Sequence, residues 1–154
     1  MDAQTKKIVK PLEQQYAKLP PLPSGVREFM VSVAPWLALV LGILAILGSV
    51  TAFLGMGFLT AAAPYAAMGY GYGSMFWIPL VFGLAEGVLW LLAFQPLRKH
   101  SARGWDLLFW VFVLGLVAAL LSSGLYFSTF GLVWAIVVVA IELYLLFQIK
   151  PYYK

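Results

Sequence analysis

The most constraining feature of this sequence is a run from Phe29 to Ala85 that contains no charged side chain. Two glutamates further along, Glu86 and Glu142, also lie within apolar runs. Hydrophobic residues make up 63% of the chain and charged residues 10%, and the mean hydropathy is +0.92. A soluble domain cannot bury that much apolar surface, so lipid must surround most of this chain.

The chain has room for four membrane spans and little else. A spanning helix takes about 20 apolar residues, and the chain has 154 residues. Suitable apolar runs lie at about residues 31–54, 75–94, 107–126 and 132–148. The first is longer than the ~7–15 apolar residues of a cleaved signal, so we expect it to be retained. The predicted fold is all-α, a polytopic four-transmembrane-helix bundle over residues 29–150 that follows a short amphipathic segment.

Positive charges are distributed unevenly along the chain. Before the first span they are Lys6, Lys7, Lys10, Lys18 and Arg27. Between the second and third spans they are Arg98, Lys99 and Arg103, and after the fourth span they are Lys150 and Lys154. The other two connections, 55–74 and 127–130, have none. The positive-inside rule therefore places both termini in the cytoplasm and the bundle in the inner or plasma membrane. This pattern argues against a nucleic-acid partner and favours contact of Arg98, Lys99 and Arg103 with lipid headgroups.

Residues 1–28 form a predicted cytoplasmic segment with two parts. Between Thr5 and Lys18, apolar side chains recur on one helical face, namely Ile8, Val9, Leu12, Tyr16 and the adjoining Leu19. A basic amphipathic helix of this kind lies on the inner leaflet. Because Pro11 removes a backbone donor, a partly ordered tail fits equally well. Residues 19–23 are rich in proline and predict an extended elbow into the first span, and residues 151–154 form a cytoplasmic tail.

Aromatic and acidic side chains mark the predicted span ends. Trp36, Trp77, Trp105 and Trp134 fall near those ends, as expected of tryptophans in the membrane interface. Asp106 directly precedes the third span, and we expect it to cap that helix. Trp105 and Trp110 then match a pair of hydrophobic residues packed across the cap.

Small residues recur along the first three spans at spacings that let helices approach closely. The candidate packing positions are Ala34, Ala38 and Gly42, then Gly83 and Gly87, and then Gly115 and Ala119. A spacing of four residues keeps such positions on one helix face. We expect more of these positions than one bundle can bury. The predicted partners are therefore further copies of the chain or other membrane subunits, besides the lipid bilayer.

Glu86 and Glu142 form the candidate intramembrane polar site. Counted by helix rise, they lie about 13 Å and about 9 Å from the cytoplasmic ends of their spans. Gly83 and Gly87 flank Glu86 on nearly the same face, which directs its carboxyl group into the bundle. No Lys or Arg falls at that depth in the sequence, so at least one carboxyl group should be protonated and hydrogen-bonded. It either joins two helices or serves as a proton or cation site.

The sequence contains no recognisable catalytic or metal-binding motif. It has no cysteine and a single histidine, His100, so disulfides, thiolate sites and multi-histidine metal sites cannot form. Ser122 and Ser123 have no partner base. We expect no enzymatic activity, no catalytic residue and no cofactor or metal. Residues 69–71 read Gly-Tyr-Gly, as in potassium-channel filters, but Ala67 or Met68 replaces the filter threonine, which favours a flexible outer loop.

Three stretches resemble small, functionally uncharacterised bacterial membrane proteins of about this length. They are 27–29 leading to 34–38, then 104–109, and then 143–154. In such relatives the ends of the chain match better than the segment 55–74 does. The resemblance implies the four-span architecture and brings no known activity.

Two functions remain open on these grounds. The first is a non-enzymatic integral membrane protein, either a scaffold or a small subunit of a larger membrane assembly. Short polar connections and repeated small residues favour it. The alternative is a small oligomeric transporter or channel that uses the carboxyl layer of Glu86 and Glu142.

Overall fold

The structure, a computed structural model, describes residues 3–62, 74–126 and 129–154. Over these residues the chain forms five α-helices and a closing 3-10 turn: α1 (Ala3–Tyr16), α2 (Ser24–Ala62), α3 (Ser74–Arg98), α4 (Ala102–Tyr126), α5 (Thr129–Ile149) and Lys150–Tyr152. Helices α2 to α5 are long and apolar enough to cross a membrane. The predicted all-α four-span bundle is confirmed.

The first span is part of a helix much longer than the membrane is thick. Helix α2 has 39 residues, about 58 Å at the usual helix rise, whereas the hydrocarbon core is about 30 Å thick. It includes Pro35 and extends beyond the predicted end of the first span at residue 54, to Ala62 in the outer connection. Residues 63–73, which contain the Gly-Tyr-Gly motif, lie outside the described residues.

The predicted cap at Asp106 is wrong, because α4 begins earlier, at Ala102. Ser101 occupies the capping position instead. Its Oγ accepts a hydrogen bond from the backbone N–H of Arg103 at 3.2 Å, and its carbonyl oxygen accepts one from Gly104 at 2.9 Å. His100 has a positive φ of 52°, which lets the chain reverse between α3 and α4. Asp106 therefore lies in the second turn of α4.

The side chain of Trp105, predicted to lie near a span end, is buried between helices. Its side chain is 2% exposed, and its Nε1 donates a hydrogen bond to the carbonyl oxygen of Leu146 at 2.9 Å. The ring also packs edge-on against Phe147 and in a stacked arrangement beside Phe109. Trp105 thus fastens α4 to α5, whereas Trp36, Trp77 and Trp134 are each about half exposed.

Close backbone contact joins α2 to α3. A Cβ atom at Gly42 would lie 3.1 Å from the carbonyl oxygen of Gly87, and one at Gly87 would lie 3.1 Å from that of Gly42. One turn away, a Cβ atom at Gly83 would lie 2.7 Å from Ser49 Oγ, and Ala38 is fully buried. Because these positions have small side chains or none, the backbones of the two helices can approach closely.

The spans pack in chain order, and the bundle is open on one side. Helix α2 packs on α3, α3 on α4 and α4 on α5, whereas α2 and α5 touch only over a short stretch. The first and last spans therefore flank a lateral gap, which opens toward the lipid.

The N-terminal helix packs against the last span. Val9 is 1% exposed, and the ring of Tyr16 stacks on Phe147 with 5.1 Å between ring centroids. The carboxylate of Glu13 forms an ion pair with Lys150 Nζ. The apolar face that we predicted from the sequence is thus covered in part by protein, and Pro11 is accommodated within α1.

The proline-rich connection from α1 to α2 crosses the gap between α5 and α2. Tyr144 Oη donates a hydrogen bond to the carbonyl oxygen of Pro20 at 2.7 Å. Two residues later, the backbone N–H of Leu22 donates to Gln148 Oε1 at 3.2 Å, and α2 begins at Ser24. The connection therefore bridges the first and last spans at one end of the bundle.

The C-terminal residues dock at that same end. The backbone N–H of Ala102 donates a hydrogen bond to the carbonyl oxygen of Lys154 at 3.1 Å. The backbone N–H of Lys154 donates one to the carbonyl oxygen of His100 at 3.0 Å. The three basic segments of the sequence therefore meet at one end of the bundle. The main hydrophobic core surrounds the same region, with Val9, Val31, Ala93, Leu97, Trp105, Leu108, Phe109, Leu146, Phe147, Ile149 and Tyr153 among its buried members.

Candidate functional site

Glu86 projects from α3 toward α4. Its carboxyl group is half-buried, and a Cβ atom added at Gly115 would lie 3.5 Å from Glu86 Oε1. The glycines on either side of Glu86 in α3, Gly83 and Gly87, face α2 instead. Gly83 and Gly87 of α3 thus make room for α2, and Gly115 of α4 makes room for the carboxyl group of Glu86. Ala119, one turn beyond Gly115, is half-buried in α4.

Glu142 lies on α5 near Glu86 and is also half-buried. A negative charge on Glu142 would act on Glu86, so the two carboxyl groups lie within electrostatic range of each other. Neither glutamate forms an ion pair with a lysine or arginine within the described parts of the chain. The two predicted site residues thus lie within electrostatic range of each other, on helices α3 and α5, which are not among the closely packed helix pairs.

The basic side chains are engaged at the end of the bundle, away from the carboxyl pair. Lys150 Nζ pairs with Glu13 and lies 5.3 Å from the centroid of the Trp105 ring. The Arg98 guanidinium lies over two rings, at 5.8 Å from the centroid of Trp36 and 5.5 Å from that of Phe94. Both cations are thus held by aromatic faces near the helix ends.

Glu142 borders a cavity of about 290 Å³ in the gap between the first and last spans. Met30, Ala34, Leu37 and Leu41 line it from α2, Leu145 and Ile149 line it from α5, and Trp90, Leu108 and Phe112 form the back wall. Leu37 and Leu41 are about half exposed, which places them at the mouth. We call this space the lateral cleft. Glu142 is the one titratable side chain among the described residues that line it.

Sequence reasoning did not predict the lateral cleft. Ala34, a candidate for close helix packing, is among the residues that line the cleft. Periodicity shows which residues share a helix face, but it does not show which pairs of helices stay apart. The back wall of the cleft also joins residues that are distant in the sequence. Trp90 of α3 and Phe112 of α4 meet edge-to-face there, with 5.9 Å between ring centroids.

The predicted headgroup-binding residues surround the connection between α3 and α4. Arg98, Lys99 and Arg103 are all exposed there. A groove of about 490 Å³ beside them is lined by Lys99, Ser101 and Arg103 at its polar end and by Leu91, Leu92 and Leu107 at its apolar end. That order of polar and apolar side chains matches the order of groups along a phospholipid.

Tyr153 is the most strongly shifted titratable group outside the spans. Burial raises the pKa of its phenol to about 12, because ionisation would place a charge in an apolar setting. Its Oη has no hydrogen-bond partner among the described residues. The ring stacks beside His100, with 5.9 Å between centroids, and so belongs to the packing of the C-terminus.

Within the described ranges, no three His, Asp or Glu side chains lie close enough together to hold a metal ion. No family model, curated protein or solved structure matches the chain. The candidate site is a pair of carboxyl groups, one of which lines an apolar lateral cleft, in a bundle of four helices that are long and apolar enough to cross a membrane.

Proposed function

We propose that this chain is a non-enzymatic subunit or scaffold of a larger membrane assembly. It lies in the inner or plasma membrane of a bacterial cell, with both termini in the cytoplasm. The positive-inside rule supports the orientation, since α1, the connection between α3 and α4 and the C-terminal residues lie at one end. The resemblance to small bacterial membrane proteins supports the origin.

The observation that carries this proposal is a stripe of small residues that the described part of the chain leaves uncovered. Gly48, Ala52 and Gly55 lie on one exposed face of α2. A Cβ atom at Gly48 or Gly55 would meet nothing within 4 Å. Gly42 and Gly87, in contrast, are already used in the contact between α2 and α3. The uncovered stripe offers a second helix the close approach that stabilises helix pairs in lipid.

Disulfide cross-linking tests this proposal directly, because the chain has no cysteine of its own. In a two-fold dimer the same residue of each copy meets its counterpart, so Gly48→Cys should form a disulfide-linked dimer under mild oxidation in membranes. Val88→Cys, on an exposed face of α3, is the matched control and should not. Gly48→Leu should dissociate the assembly without disturbing the fold.

An assembly with a different subunit gives another pattern. Gly48→Cys then cross-links poorly to itself, and the chain purifies in mild detergent with a second protein that Gly48→Leu releases. A monomeric particle with no companion protein, unchanged by Gly48→Leu, contradicts the proposal.

A transporter or channel is the second candidate, and the proximity of Glu86 and Glu142 favours it. Two carboxyl groups held together inside a membrane can accept and release a proton or bind a cation. Purified protein in vesicles loaded with a pH-sensitive dye should then show proton flux that Glu86→Gln abolishes. Wild-type flux equal to that of protein-free vesicles for several ions excludes this function.

A further inference from the structure

The lateral cleft has the character of a small-ligand site open to the membrane. Binding pockets are concave, mostly apolar and equipped with a few placed polar groups. The lateral cleft has about 290 Å³ of space, apolar side chains from four helices and one carboxyl group. Its volume lies near the lower end of the range for such pockets, about 300–1,000 Å³, so its ligand is small.

Access to the cleft is from the side. At the end where α2 begins, the connection between α1 and α2 is tied to α5 by the hydrogen bonds of Tyr144 to Pro20 and of Leu22 to Gln148. Leu37 and Leu41 are half exposed at the mouth between the spans. A ligand that reaches this cleft must therefore dissolve in the lipid, which requires an apolar body.

Glu142 determines which polar group a ligand of the cleft should carry. Glu142 lines the cleft, and Glu86 lies within electrostatic range of it. No lysine or arginine of the described residues lines the cleft. Two acidic groups without a basic partner in an apolar setting favour a ligand that brings the positive charge. The aromatic residues Trp90 and Phe112 also line the cleft, and aromatic rings attract cations.

We propose that the lateral cleft binds an amphiphilic amine from the surrounding bilayer, with its ammonium group at Glu142 and its apolar body between α2 and α5. The site is separate from the uncovered stripe of small residues, because Gly48 does not line the cleft. A phospholipid acyl chain matches the walls but has no group that meets the carboxyl. The acidic residue therefore distinguishes a specific amine site from a lipid-filled groove.

Saturable binding of tritiated decylamine to the full chain in nanodiscs of a zwitterionic lipid tests the proposal. Decan-1-ol, which has the same chain length and no charge, is the reference ligand. The wild-type protein should bind one decylamine per chain and bind it at least tenfold more tightly than decanol. Glu142→Gln keeps the shape of the side chain and should weaken decylamine binding at least tenfold while leaving decanol unchanged.

A second variant tests the cleft independently of the carboxyl group. Leu37→Trp places a larger side chain at the half-exposed mouth and should abolish binding of both ligands. Leu44→Trp is the matched control, because Leu44 is on the same helix, is exposed and does not line the cleft. Since both positions face outward in part, neither change needs the core to repack.

The outcomes separate this proposal from the assembly role. Gly48→Leu should bind decylamine as the wild type does, even if it dissociates the assembly. Binding that does not saturate, that favours decylamine no more than decanol, or that survives Leu37→Trp contradicts the amine site. Should Glu142→Gln fail to fold, the comparison of Leu37→Trp with Leu44→Trp decides the matter.

Discussion

Tyr153 carries a buried phenol whose hydroxyl group finds no partner in the described structure. Its folded-state pKa of about 12 lies above the ordinary value of 10.0, so the folded state favours the neutral phenol. This contribution to stability is fully present below pH 10 and is lost as the pH rises toward 12. The residue thus makes the fold sensitive to alkali.

We predict that Tyr153→Phe removes part of the alkaline loss of stability between pH 10 and 12. At pH 7 the variant should be as stable as the wild type or slightly more so, because a buried hydroxyl without a partner costs about 1–3 kcal/mol. Unfolding in a denaturing detergent, followed by circular dichroism at pH 7 and pH 11, measures both effects. Equal loss of stability in the two proteins contradicts the prediction.

Gly104 permits the tight passage from α3 to α4. A Cβ atom there would lie 2.7 Å from the backbone nitrogen of Leu97 and 2.9 Å from the carbonyl carbon of Pro96. Because these are backbone atoms, the contact cannot be relieved by a side-chain rotation. We predict that Gly104→Ala destabilises the protein by about 1–3 kcal/mol.

The control for that substitution is Gly25→Ala at the start of α2, where an added Cβ atom would meet nothing within 4 Å. It should leave stability unchanged or raise it slightly, since alanine favours helix over glycine. The same unfolding assay compares both variants with the wild type. Equal effects of the two substitutions mean that the contact at Gly104 does not matter.

At the scale of elements, α1 offers a comparison between two neighbouring side chains. Val9 is buried against the bundle, whereas Ile8 is 47% exposed. We predict that Val9→Ala loosens the docking of α1 by roughly 1–2 kcal/mol through lost apolar contact. Ile8→Ala removes an apolar side chain from the same helix and should have little effect.

Hydrogen exchange measures that docking, because α1 amides are protected while the helix is packed. Val9→Ala should speed exchange in residues 3–16 and leave exchange in α3 unchanged. Similar exchange in Val9→Ala and Ile8→Ala shows that α1 is held by other contacts, such as the ion pair of Glu13 with Lys150.

The groove between α3 and α4 is expected to hold an anionic phospholipid. Each basic residue near an anionic membrane surface contributes about 1 kcal/mol, so the double variant Lys99→Gln/Arg103→Gln should lose roughly tenfold or more in affinity for phosphatidylglycerol. Lys10→Gln/Lys18→Gln removes the same charge elsewhere and serves as the control. Native mass spectrometry counts the retained lipids, and equal retention by both double variants contradicts the prediction.

Local patterns predicted the elements well and their neighbours poorly. Runs of apolar residues located the four spans because the thickness of the membrane imposes a length on each helix. The start of α4 was missed because Asp106 is a favoured capping residue, although Ser101 holds the cap. The burial of Trp105 was not predicted, because a tryptophan near a span end also fits the membrane interface, and the hydrogen bond to the Leu146 carbonyl oxygen is not visible in the sequence.

The candidate site was likewise predicted only in part from the sequence. A charge that interrupts an apolar run is visible in the sequence, so Glu86 and Glu142 could be found there. The lateral cleft depends on α2 and α5 remaining apart, and these helices are distant in the chain. Such an arrangement follows from the packing of the whole bundle rather than from any segment.

At the scale of the whole molecule, we predict that positions 6, 98 and 154 face the cytoplasm. Positions 70 and 128, which lie outside the described residues, should face outward. Cysteines introduced one at a time and labelled on intact cells with a membrane-impermeant thiol reagent test this, since the wild type contributes no background. Labels at 70 and 128 alone are expected, and a label at 98 reverses the orientation.

The docking of α1 on α5 joins two helices that the ribosome makes at different times, α1 before the first span and α5 as the fourth. The hydrogen bond from Tyr16 to Ala140 and the ion pair of Glu13 with Lys150 join residues that are 124 and 137 positions apart. During synthesis α1 therefore waits, with its apolar face uncovered, until the fourth span has left the ribosome. A chain that stalls earlier displays that face, which is the kind of surface that chaperones and proteases recognise. Closure of α1 on α5 thus marks a bundle in which all four spans have been made.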